Sequence, residues 1–71
     1  MNEQNVQASV LRALKAYKLE KGLSDSAATA FATAKLSEGM TRARAIMAQH
    51  RLDPEGGIRA AFADLKTWAQ S

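Results

Sequence analysis

Thr41, Arg42, Arg44 and Arg51 are the residues in this chain whose types and spacing most resemble a site. Thr41 suits an N-cap, which places Arg42 and Arg44 in the first turn of a helix. Cations there face the positive end of the backbone dipole, at a cost of roughly 0.3 to 1 kcal/mol when exposed. An external phosphate or carboxylate would relieve that cost. Thr41, Arg44, Ala48 and Arg51 recur at i, i+3, i+7 and i+10, opposite Ile46 and Met47, so two arginines and a small hydroxyl share one face. The planar guanidinium grips guanine edges or phosphate oxygens in pairs, which makes this face a candidate for a DNA major groove. Arg12, Lys15, Lys18 and Lys21 follow at steps of three along an earlier segment. There they would add sequence-independent phosphate contacts. The plainer reading of both basic faces is solvation, with Glu20 as a local partner.

Ser26, Thr29, Thr33 and Ser37 form a second candidate of different chemistry, a helix face of hydroxyls with no charge. Small side chains lose little entropy on burial and admit a close neighbour. This face therefore fits a protein interface or a packing surface inside the fold, and its exposure discriminates the two. His50 is the sole histidine and cysteine is absent, so no metal set or catalytic triad assembles. Asp53 and Glu55 sit where a helix start needs caps rather than where acid–base chemistry needs a pair. No nucleotide loop or nucleophile elbow occurs. An enclosed pocket of ~300 Å³ or more is hard to fit in so short a chain. The expectation is no enzyme, no cofactor, no metal and no small-molecule substrate.

The elements that must position these residues are helical throughout. Val6, Val10, Ala13, Leu14 and Tyr17 repeat at helical spacing, which predicts a first helix from about Glu3 to Lys21, with Gly22 as a left-handed C-cap. Ser24, Asp25 and Ser26 offer N-caps to an alanine-rich second helix reaching Ser37, with Ala27, Phe31 and Ala34 on one face. Gly39 is read as its stop. A third helix then starts at Thr41 with Ala43, Ile46, Met47 and His50 toward the core. Asp53 and Pro54 open a fourth that runs almost to Ser71 on the stripe Ile58, Ala61, Phe62, Leu65 and Trp68. Glu38-Gly39-Met40 would be the turn of a helix-turn-helix, although the apolar spacing around its glycine is a poor match. The fold class is all-α, a compact bundle or orthogonal array of about four short helices, helix-turn-helix-like, in a single domain over residues 1–71. Tyr17, Phe31, Phe62 and Trp68 are assigned to its core.

At 71 residues, 46% of them hydrophobic and much of that alanine, the core is small, so a homodimer is expected to supplement it. Ten Lys and Arg against seven Asp and Glu leave a mild excess of +3, compatible with nucleic acid without requiring it. No segment approaches the ~20 apolar residues of a membrane span, and the N-terminus lacks the zones of a signal peptide. The expected location is the cytoplasm. The leading functional expectation is a small non-enzymatic DNA-binding regulator working through Thr41, Arg42, Arg44 and Arg51, supported by Arg12, Lys15 and Lys18. The alternative is a protein-binding inhibitor or adaptor, of the kind mobile elements encode, docking through Ser26, Thr29, Thr33 and Ser37 or through the arginine face. A third is an assembly subunit of a larger complex. The expected partner is thus DNA or an acidic protein surface.

Overall fold

In the computed structural model, which describes residues 3–71, the chain forms three helices. They are α1 (Glu3–Glu20), α2 (Asp25–Gln49) and α3 (Pro54–Gln70). The all-α expectation holds; the number of helices is one fewer than expected. Two of the four predicted helices are a single element, because α2 runs unbroken through Gly39 for 25 residues.

The termini follow local chemistry. Helix α1 ends at Gly22, whose φ of +92° is the left-handed conformation that only glycine adopts without a steric penalty. Leu23 N–H donates back to Lys18 O at 3.2 Å, satisfying a terminal carbonyl, and Lys18 in the last turn suits the dipole. Ser24 caps α2, its hydroxyl accepting from Ala27 N–H at 3.2 Å. Asp53 caps α3 by accepting from Gly56 N–H at 3.1 Å, and Pro54 occupies the first turn, where a missing N–H costs nothing.

Val10 and Leu14 of α1, Ala28, Ala32, Met40 and Ala43 of α2, and Ala61, Leu65 and Ala69 of α3 form the buried core. Tyr17, Phe31, Phe62 and Trp68 pack against it half-buried. The inward alanines of α2 are Ala28 and Ala32; Ala27 and Ala34, expected on the core face, are exposed. Gly39 explains why α2 does not stop. Its backbone is buried against α1, and a Cβ added there would lie 3.2 Å from both Leu14 Cδ1 and Val10 Cγ1. The glycine is a point of close helix approach, not a terminator. Thr41 accordingly caps nothing: its hydroxyl donates to Ser37 O at 3.1 Å, one turn back within the same helix.

Candidate functional site

The continuity of α2 changes the geometry of every candidate residue it carries. With no turn at residues 38–40, the helix-turn-helix arrangement is absent, and Arg42 and Arg44 lie deep in a helix rather than in a first turn. The dipole cost that singled them out therefore does not arise, since that effect is confined to the terminal turns.

Arg42 is occupied structurally. Its Nε and Nη2 donate to the two carboxylate oxygens of Asp64 in α3, at 2.9 and 3.0 Å, and its guanidinium lies 5.2 Å from the Trp68 ring centroid. Such a two-toothed pair fixes orientation as well as charge. Trp68 in turn meets Phe31 at 6.5 Å between ring centroids, tilted by 49°, and Lys18 stands 4.4 Å over the Phe31 ring. Lys18, Phe31, Trp68, Arg42 and Asp64 thus make one strap across all three helices. Beside it, Tyr17 donates its hydroxyl to Phe62 O at 3.3 Å, and Gln70 Nε2 donates to Glu20 at 2.9 Å. Burial, with the Glu20 charge second, pushes the Tyr17 phenol above its usual pKa, so the hydroxyl stays protonated as a donor. Two of the seven residues expected to meet nucleic acid, Arg42 and Lys18, are held in this strap.

The other basic residues are dispersed. Lys15 pairs with Asp25 at 3.1 Å, both partly exposed. Arg12, like Arg51, is exposed and enters no ion pair among the described residues, while Arg44 is exposed but has an interaction partner. About 27 Å of helix separates Ser26 from Arg44 at 1.5 Å per residue, so the α1 lysines and the late arginines do not converge on one spot.

What the fold does bring together was not anticipated. Ser26, Thr29, Thr33 and Ser37 are all exposed; the alternative in which they pack inside the monomer does not occur. In one continuous helix, steps of 7, 4 and 7 from Ser26 to Thr33, Ser37 and Arg44 keep those side chains within about 40° of one another. The hydroxyl candidate and the late arginine are one stripe, broadened by exposed Ala30, Thr41 and Ala48. Alongside it, α1 and α2 bound an open groove of about 360 Å³ lined by Ala8, Leu11, Arg12, Lys15, Thr29, Ala32 and Thr33. Members of the basic α1 set and of the hydroxyl set therefore line the same groove, a juxtaposition that only the antiparallel packing of α1 on α2 creates.

Among the described residues no group of three or more His, Cys, Asp and Glu could hold a metal ion, and no helix is long and apolar enough to cross a membrane. His50, expected on the core face, is half-buried and closes α2, its backbone N–H donating to Met47 O at 3.1 Å. Compared with known proteins, the chain matches no family model, no curated protein and no solved structure.

Proposed function

We propose that this chain is a non-enzymatic protein-binding module that receives a helix of a partner protein along the outward face of α2 and the groove beside it. The observation that carries this reading is the exposed stripe of Ser26, Thr33, Ser37 and their alanine neighbours. A permanently solvated helix face ordinarily carries lysine and glutamate. Here a long face carries hydroxyls and methyl groups, which cost little entropy to cover and let another backbone approach closely. Leu11 and Ala32 give the groove an apolar floor, and Arg12 stands on its rim without an ion pair. The fitting partner is an amphipathic helix that lays small or aliphatic residues on α2 and turns a carboxylate toward Arg12. Lys15 can join it, because its pair with Asp25 is exposed and such pairs hold weakly, by about 0.2 to 1 kcal/mol.

The DNA-binding alternative retains Arg12, Arg44 and Arg51 as its exposed cations and loses the helix-turn-helix on which groove entry depended. A single comparison separates the two. The variant Thr33→Glu/Ser37→Glu places charge on the stripe without touching the core. It should abolish quantitative capture of a partner protein, while Arg44→Ala/Arg51→Ala weakens capture only modestly. Salt-sensitive binding to random duplex DNA that disappears in the arginine variant and survives in the glutamate variant would overturn the proposal in favour of DNA.

A further inference from the structure

Leu52, in the turn between α2 and α3, is 94% exposed, more than any other large apolar side chain among the described residues. The turn does not need it. Its backbone is closed by Asp53 N–H donating to His50 O at 2.8 Å, and α3 is capped by the Asp53 carboxylate, so a polar residue would serve equally well at position 52. One exposed leucine is unremarkable in a folded protein. The near neighbours of Leu52 in the chain, Arg51 and Pro54, line an open, apolar groove of about 370 Å³ together with Val6, Met47, His50 and Ile58. A knob and a hole of matching chemistry thus belong to the same end of the molecule, and the exposed Leu52 does not fill that hole in its own chain.

The charges around them are complementary in the same way. Arg51 precedes Leu52, and Glu55 follows it in the first turn of α3. Both are exposed, and neither enters an ion pair among the described residues. Arg51 is also one of the residues lining the groove, so a leucine seated there from another copy would bring its own Glu55, three residues along, toward that arginine. A two-fold axis through the turn would make that contact twice, Arg51 of each copy against Glu55 of the other with each leucine in the opposing groove. Self-complementarity of this kind is what a closed dimer requires, because each contact is made twice.

We infer that two copies of this chain associate through this end, Leu52 of each seated in the groove formed by Val6, Met47 and Ile58 of the other. The contact is independent of the partner-binding stripe: Met47 lies about 21 Å of helix beyond Thr33. It is small, so association is of the weak, concentration-dependent class. Sedimentation equilibrium or light scattering up to about 1 mM should show the mass climbing from 7.7 kDa toward twice that value. Leu52→Ser should raise the dissociation constant at least tenfold with an unchanged melting curve, since the side chain touches no core residue. Arg51→Glu and Glu55→Arg should each weaken association, and the double variant should restore it to within a few-fold of the original chain. Rescue by reversal of both charges distinguishes a reciprocal contact from general stickiness. A mass of 7.7 kDa at every concentration would overturn the inference. So would self-association indifferent to Leu52→Ser, or a double charge reversal no better than either single one.

Discussion

The strap where α1, α2 and α3 meet and the outward face of α2 use the same helix to opposite ends. On the strap side, Arg42 holds Asp64 with two hydrogen bonds and lies over Trp68, Trp68 meets Phe31, and Lys18 lies over Phe31. On the outward side, Ser26, Thr29, Ala30, Thr33, Ala34 and Ser37 are exposed, with Thr29 and Thr33 on the wall of the groove beside α1. The difference teaches that the basic excess is a poor guide to where this protein binds. Arg42 is committed to the bundle through Asp64 and Trp68, and Lys15, Lys35 and Lys66 each face a carboxylate in a weaker, exposed pair, so much of the positive charge is partly answered within the fold. A partner is better sought where the surface has been left uncommitted.

The sharpest way to break that contrast is to weaken the interior beneath both regions. Leu14 is fully buried and packs against the backbone of Gly39, beside the side chains of Val10 and Leu65. Leu14→Ala should cost about 2 to 5 kcal/mol. In a domain this small that is much of the total stability, and a thermal melt followed by circular dichroism should shift down by about 10 °C or more. A shift of only 2 or 3 °C would mean that α1 is not packed on α2 as described. Binding lost in this variant reports unfolding, which is why the docking test rests on Thr33 and Ser37 instead.

Arg42→Ala tests the strap alone and should have a smaller effect. The pair with Asp64 is partly exposed, so solvent screens it to the upper part of the surface range, and the stacking on Trp68 adds a comparable increment. A loss of about 1 to 1.5 kcal/mol follows, read as a urea midpoint shift that shrinks in high salt. Arg12→Ala, at the groove beside the outward face and in no ion pair among the described residues, provides the comparison and should cost less. Equal losses from the two arginines would erase the distinction between a committed face and a free one.

Much of this architecture is legible in the residues, for reasons that also explain the failures. Helices α1 and α3 concentrate large apolar side chains on one stripe, and Gly22, Ser24, Asp53 and Pro54 are punctuation with one physical meaning each. Helix α2 lacks that contrast. Alanine lies on its buried side as Ala28 and Ala32 and on its exposed side as Ala27 and Ala34, so periodicity does not reveal which face turns inward. The hydroxyl face was recognisable from residue type, but the break placed at Gly39 cut it off from Arg44 and hid their common stripe. Arg42 reads from sequence as a DNA contact because its partner, Asp64, is 22 residues away, and a long-range ion pair leaves no local signature.

Gly39 and Gly22 make the finest test, because both have the local sequence of a helix stop and only one is. At Gly22 φ is +92° and nothing lies within 4 Å of a built Cβ, so the constraint is purely conformational. Gly22→Ala should destabilise by about 1 kcal/mol, the left-handed penalty for a residue with a Cβ. At Gly39 the backbone is helical and the constraint is purely steric. Alanine there gains up to about 1 kcal/mol of helix propensity and crowds Leu14 Cδ1 and Val10 Cγ1, the ends of side chains that can shift by a few tenths of an ångström. The two terms oppose each other, and the net change should lie within about 0.5 kcal/mol of zero. Gly39→Leu has the same helical backbone and far more volume, so it should cost at least about 1 to 3 kcal/mol by overpacking. If instead alanine and leucine at position 39 were equally harmful, and as harmful as alanine at position 22, the constraint at Gly39 would be conformational. Helix α2 would then be broken there, and the continuous stripe from Ser26 to Arg44 would not exist.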